Sequence, residues 1–242
     1  MKRPHKFLIL FTGIILIVGI LLLFQRESYV PPLHEAKSRP VSDSVVITAR
    51  NAPVGPVDRK LSVKHPFPGV PTTRVGLPLK GDPFLATSKA EQLWLDRNGY
   101  PNAEQWEIYS QASDSLLATA ADSGDSVAKV MLNIRRLTAG DMSATQELLA
   151  TGANGSSFAL EMLSSFMAGS SKGDPMTGYA LSRVVEMRGN YRVAMGRDVM
   201  FAKHLNPVQR MEAEGKAMEI FNAMKKNRKG GGFIDPRPID GQ

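Results

Sequence analysis

The chain has 242 residues, no cysteine and a formal net charge of +7 at pH 7. The lack of cysteine excludes disulfides, thiolate metal sites and a cysteine nucleophile. Within residues 85–224 thirteen Lys and Arg face sixteen Asp and Glu, so the basic excess lies elsewhere and no nucleic-acid-binding domain is expected.

The N-terminus has the features of a membrane anchor. Residues 7–24 are eighteen uncharged, mostly large apolar residues, which as a helix span about 27 Å of a bilayer core of about 30 Å. No small-residue cleavage pattern follows, so we expect an uncleaved signal anchor rather than a cleaved signal peptide. Lys2, Arg3 and Lys6 predict that residues 1–6 are a cytoplasmic tail. The remaining chain then lies outside the inner membrane, in the periplasm of a Gram-negative cell.

Residues 25–84 hold ten of the sixteen prolines, a density that forbids helix and predicts an extended, semi-rigid linker. Residues 45–49, with the sequence VVITA, are an alternative edge strand for a partner sheet. Basic residues between the prolines, Arg74 among them, are candidates for contact with anionic lipid headgroups.

Residues 85–226 carry helix start and stop signals at nearly regular intervals and predict an all-α domain. Glycines at 124, 140, 155, 173 and 189 separate many of these segments. The segment from Asn102 to Gly124 is expected to be one helix. Residues 227–242 are expected to form a disordered tail. Eight helices are predicted, with starts at Ser88, Asn102, Asp125, Asp141 or Ser143, Ser156, Asp174, Asn190 and Asn206.

An internal repeat accompanies this spacing. Residues 126–132 match residues 157–163 at an offset of 31, and a Gly-Asp pair recurs at an offset of 33. A period of 31 to 34 residues predicts an α-solenoid in which each helix hairpin packs against its neighbours. The matched pairs are Ala128 with Ala159, Leu132 with Leu163, Gly140 with Gly173, and Asp141 with Asp174.

Together with Gly169, Pro175, Gly189 and Asn190, these residues resemble the Sel-one-like branch of the tetratricopeptide repeats over about residues 125–190. The resemblance implies a small right-handed α-solenoid of antiparallel helix hairpins. It also implies protein–protein interaction, because members of that family are mostly scaffolds and adaptors. Only two repeats are visible, so the flanking helices are expected to act as caps.

No pattern in the sequence indicates catalysis. The four histidines lack metal-ligand spacing, and no Gly-x-Ser-x-Gly elbow is present. We therefore predict no catalytic, cofactor-binding or metal-binding residue, and a protein that is not an enzyme. Five large side chains are expected in the core of the helical domain: Trp94, Trp106, Tyr109, Met211 and Met218.

These features predict a membrane-anchored adaptor whose helical domain binds an envelope protein or peptide. The identity of the partner and the oligomeric state stay open. One alternative is a cell-envelope enzyme without a recognisable motif. Another is a single-pass subunit of a secretion or pilus assembly, in which the linker makes the main contact.

Overall fold

The computed structural model describes residues 64–225 and 235–237, which contain nine α-helices and no strand. The predicted all-α class is confirmed for this part of the chain. The predicted cytoplasmic tail, the anchor and residues 25–63 of the linker lie outside it. None of the helices in the described ranges is both long and apolar enough to cross a bilayer. In chain order the helices are α1 Lys89–Arg97, α2 Ala103–Gln111, α3 Asp114–Asp122, α4 Ser126–Thr138, α5 Ala144–Ala153, α6 Ser157–Gly169, α7 Pro175–Met187, α8 Arg192–Phe201 and α9 Pro207–Lys225.

Most helices begin where local capping chemistry predicts. The Asp125 carboxylate accepts the first amides of α4, and the Ser156 hydroxyl accepts an amide of α6. Asp174 does the same for α7, with Pro175 at the first helical position. These contacts satisfy backbone donors that have no partner within the helix. Local sequence therefore determines these helix starts.

The expected helix from Asn102 to Gly124 is in fact two helices, α2 and α3. The prediction missed two causes of the break. The Ser113 side chain accepts the Leu116 amide and caps α3, and a residue distant in sequence ends α2. The Arg135 guanidinium, on α4, donates to the main-chain oxygens of Tyr109, Ser110 and Ala112 at the end of α2. A cation at a helix C-terminus satisfies free carbonyls and favours termination there.

The start predicted at Asn190 also needs correction. Helix α8 begins two residues later, with Tyr191 at the N-cap position and no side-chain cap. The Asn190 side chain instead donates to the Tyr100 hydroxyl. A long-range hydrogen bond has replaced the expected local cap.

Helices α3 to α7 each pack against the next helix in the chain. Contacts also join α2 to α4, α4 to α6 and α7 to α9. Ala128 and Ala159 are fully buried, and each is the third residue of its helix, α4 or α6. Neighbouring helices therefore surround both alanines.

The last third of the expected linker, residues 64–84, belongs to the folded domain. Arg74 is only 1% exposed and forms ion pairs with Asp82 and Asp96. The same guanidinium donates to the main-chain oxygens of Tyr100 and Pro101. The boundary at residue 84 therefore moves toward the N-terminus, and Arg74 is not available to a lipid surface. Three apolar side chains of this segment pack against the core: Phe67, Val70 and Phe84.

The prediction of buried methionines on α9 was wrong, since Met211 is 74% exposed and Met218 is 50% exposed. Helix α9 contributes a different stripe to the interior, which includes the fully buried Ala213 and Ala217. Small side chains allow α9 to pack closely on α7. Trp94 and Tyr109 are buried as expected.

Candidate functional site

A cluster of buried polar groups lies where the described part of the tail contacts Phe84 and the turn after α7. Asp235 and Arg237 come from the tail that was expected to be disordered, yet both are buried. We call Asp235, Pro236 and Arg237 the tail triad. The groups that surround it, namely Trp94, Tyr100, Glu161, Asn190 and the main-chain oxygens of Phe84 and Gly189, form what we call the arginine site.

Aromatic rings provide the main contact surface for Arg237. Its guanidinium carbon lies 4.8 Å from the centroid of the Trp94 ring and 5.9 Å from that of Tyr100. Trp94 and Tyr100 stack on each other at 5.8 Å, with an interplanar angle of 28°. A planar, weakly hydrated guanidinium is suited to such faces, because it keeps its edge donors while its own faces are covered.

The tail triad is a compact, self-paired turn. The Asp235 carboxylate accepts the backbone N–H of Arg237 at 3.0 Å and its Nη2 at 2.6 Å. It also accepts Nε of the same guanidinium. Pro236 lies between them and fixes its own φ, which favours a turn. The charge of Arg237 is thus neutralised within the triad itself.

Two main-chain contacts attach the triad to the helical domain. The Asp235 N–H donates to the Gly189 carbonyl oxygen at 2.9 Å, and Arg237 Nη1 donates to that of Phe84 at 3.3 Å. Gly189 has a φ of +104°, a conformation that glycine adopts without strain, and it ends the turn after α7. The predicted repeat residue Gly189 therefore also presents a carbonyl to the tail.

A chain of polar side chains borders the aromatic rings. Asn190 donates to the Tyr100 hydroxyl at 2.8 Å, and that hydroxyl donates to Glu161 at 2.6 Å. Burial raises the pKa of Tyr100 well above 10.0, as does the adjacent Glu161 carboxylate, so the phenol stays protonated. Burial also raises the pKa of Glu161 above 4.5, although Tyr100 and Arg237 favour its charged form.

Two groups beside the triad keep binding capacity. Asn190 is 2% exposed, and its Oδ1 has no hydrogen-bond partner among the described residues. Arg192 opens α8 and lies within electrostatic range of Arg237, Asp235 and Glu91. Burial, and next the positive charge of Arg237, lower the pKa of the Arg192 guanidinium. An acceptor oxygen and a partly buried cation therefore border the triad.

A second polar cluster joins His65, Tyr109 and Asp125. His65 Nε2 lies 3.3 Å from Asp125 Oδ2, and the Tyr109 hydroxyl donates to the same oxygen at 2.6 Å. Asp125 Oδ1 accepts two amides of α4. Oδ1 caps α4 and Oδ2 ties that cap to Tyr109 and His65, so the cluster has a structural role. The described residues contain no group of three or more His, Cys, Asp or Glu that could hold a metal ion.

The predicted repeat residues are dispersed, and only Gly189 and Asn190 reach the arginine site. The offset of 31 places Leu132 and Leu163 at the seventh position of α4 and α6, half-buried and fully buried respectively. The remaining predicted residues, Gly169 and Pro175, lie at the end of α6 and the start of α7.

The offset of 33 does not join equivalent positions. Gly140 has a φ of +98° and ends α4. Gly173 has no positive φ, and a Cβ there would lie 2.4 Å from the Met167 carbonyl oxygen. Asp174 caps α7, whereas Asp141 pairs with Arg136 three residues before α5. Glycine is therefore needed at 140 for its backbone conformation and at 173 because there is no room for a side chain.

Sequence reasoning missed Tyr100, Glu161, Asp235 and Arg237. One signal was available, since Glu161 is the only charged residue in the otherwise neutral α6. The Asp-Pro-Arg sequence of the tail has turn chemistry but gives no indication of where it docks.

Comparison with known proteins adds no assignment. No protein-family model, no curated protein and no solved structure matches this chain significantly.

Proposed function

We propose that this chain is a membrane-anchored binding protein, without enzymatic activity, whose helical domain binds a short peptide segment of an envelope protein. Residues 7–24 serve as the inner-membrane anchor and the N-terminus lies in the cytoplasm, so the helical domain lies in the periplasm. The apolar run and the preceding Lys2, Arg3 and Lys6 support this topology.

The helical domain is proposed to be a short right-handed α-solenoid of antiparallel hairpins. Its support is the sequential packing of the helices, the next-but-one contact of α4 with α6, and the equivalent burial of Ala128 and Ala159. The resemblance of residues 125–190 to Sel-one-like repeats also supports this architecture. Solenoids of this class commonly present extended surfaces to peptides and proteins.

The observation that carries the proposal is the tail triad itself. A three-residue segment, separated from α9 by residues 226–234, docks with one backbone hydrogen bond and one buried arginine side chain. Main-chain bonds with one deeply inserted side chain are a usual mode of peptide recognition, and arginine is a frequent anchor. The helical domain thus already contacts a short segment of chain through the kinds of bond that a peptide receptor uses.

Photo-crosslinking in intact cells tests this proposal. A photoreactive residue at Tyr191, which is exposed between Asn190 and Arg192, should capture a defined envelope protein. The same residue at Leu116, exposed on α3, is the matched control and should not capture it. Deletion of residues 45–60 should preserve the Tyr191 crosslink. Loss of the crosslink on this deletion, or identical products from both positions, would contradict the proposal in favour of a linker-based contact.

A further inference from the structure

We infer that the arginine site recognises an arginine preceded two residues earlier by aspartate, in a partner peptide of the Asp-Pro-Arg type. The chain's own tail triad then acts as an internal competitor for the same site. This inference rests on the proposed function and adds to it the class of ligand and a means of regulation.

The chemistry of the site favours arginine over lysine. Arg237 is 7% exposed, so its charge has left water, and both Nε and Nη2 are engaged by Asp235 while Nη1 reaches the Phe84 oxygen. The planar guanidinium thus donates to Asp235 on one side and to Phe84 on another while its face lies over the Trp94 ring. A lysine ammonium has no planar face, is more strongly hydrated and cannot donate in this fixed fork.

The aspartate is part of the recognition element because a buried guanidinium needs a counter-charge. Asp235 provides it from within the triad, at 2.6 Å, and the same carboxylate holds the turn through the Arg237 amide. A peptide that carries both residues arrives already neutralised and partly ordered. An isolated arginine would have only Glu161 as a counter-charge, and burial disfavours the charged form of that carboxyl.

Nothing in these contacts requires the triad to belong to the same chain. The domain supplies two carbonyl oxygens and two aromatic rings, and the ion pair is internal to the triad. A partner peptide can form the same bonds. A donor group of the peptide can also bind Oδ1 of Asn190, which has no partner among the described residues. A carboxylate of the peptide can pair with the Arg192 guanidinium.

The covalent connection to α9 favours binding of the chain's own triad over binding of a separate peptide. Nine residues, 226–234, join it to α9, and a short tether sets an effective concentration on the order of millimolar. A peptide in trans must compete with that concentration. Removing the anchor side chain of the tail should therefore raise the apparent affinity for an external peptide.

Fluorescence anisotropy on the full-length chain in detergent provides the test. The probe is a labelled peptide with the sequence of residues 233–239, FIDPRPI. Arg237→Ala should bind it at least about tenfold more tightly than wild type, because the internal competitor is weakened. The probe with Lys in place of Arg, or Asn in place of Asp, should lose at least about tenfold in affinity. Lys203→Ala, an exposed change after α8, should behave as wild type.

Hydrogen exchange of the wild-type chain gives a second measurement that needs no folded variant. The Asp235 amide is protected by its bond to the Gly189 oxygen, so excess FIDPRPI peptide should accelerate its exchange, and the lysine peptide should not. Unchanged exchange at millimolar peptide, or a helical Arg237→Ala chain that fails to bind the probe, overturns the inference.

The two proposals fail separately. A Tyr191 crosslink in cells without probe binding would leave the receptor function with a different ligand. Probe binding without any Tyr191 crosslink would remove the receptor function and leave only the tail contact.

Discussion

The helices α4 to α7 and the two terminal segments are held in place by different kinds of interaction. Around α4 and α6 the interior is apolar, with Ala128, Ala159 and Leu163 fully buried. Residues 64–84 and the tail triad are attached mainly through buried charges, with Arg74 and Arg237 at their centres. Apolar packing tolerates many sequences of similar pattern, whereas a buried ion pair depends on each partner and is costly to break.

Removal of the cation that fixes the N-terminal segment should destabilise the domain most. Arg74→Ala leaves Asp82 as a buried carboxylate without its ion pair and removes donors to two main-chain oxygens. We expect a loss of about 3 to 5 kcal/mol in the free energy of unfolding. Urea denaturation of the full-length chain in detergent measures it.

The matched control is Arg210→Ala, a partly exposed arginine on α9. It should shift the urea midpoint far less than Arg74→Ala. Equal shifts for the two variants would show that residues 64–84 do not depend on the Arg74 ion pairs.

The apolar region should respond to added volume. Ala128→Leu and Ala159→Leu each introduce three carbon atoms at a fully buried position near the start of a helix. Overpacking of this kind costs about 1 to 3 kcal/mol, and the two variants should be affected alike. Thermal unfolding followed by circular dichroism measures both, with Lys129→Ala on the exposed face of α4 as the control. If both leucine variants melt like wild type, the 31-residue match has no structural meaning.

These two regions also differ in how far sequence could predict them. Caps such as Asp125 and Asp174 lie within three residues of the amides they accept, so local patterns are sufficient. Arg74 pairs with Asp96, twenty-two residues away in sequence, and Arg237 donates to the Phe84 oxygen at a separation of 153 residues. No periodicity encodes such pairs. The proline-rich composition of residues 64–84 correctly excluded helix but gave no information about docking.

Part of the arginine site was predictable for a different reason. Gly189 and Asn190 were identified as a helix end, and Gly189 does end the turn after α7. Their further contacts with the tail triad and with Tyr100 arise only from the three-dimensional arrangement. The breaks between helices are thus encoded locally, and the docking of the tail triad at one of them is not.

A pair of glycine substitutions separates local from tertiary constraint within the repeat itself. Gly140→Ala forces a side chain into a φ of +98°, which costs about 1 to 2 kcal/mol, and the nearest group to its Cβ is the movable end of the Lys172 side chain. Gly173→Ala places its Cβ against the Met167 main chain, so the backbone must move. We expect Gly173→Ala to lower the melting temperature more. Gly140→Asn, which tolerates positive φ better than alanine, should recover part of the loss, whereas Gly173→Asn should not.

A weaker effect is a pH dependence that distinguishes the arginine site from the surface of the helical domain. The folded pKa of Glu161 is raised above 4.5 by burial, so its contribution to stability is fully present below pH 4.5 and is lost as pH rises through the folded value. Wild type should therefore lose stability relative to Glu161→Gln over that interval, measured as the melting temperature at successive pH values. Glu147, half-exposed on α5, has its pKa lowered by Lys129, so its contribution is present above pH 4.5 and is lost as pH falls. Glu147→Gln should consequently show the opposite sign. The same sign for both variants would mean that burial does not govern the charge of Glu161, and that the arginine site is open to water.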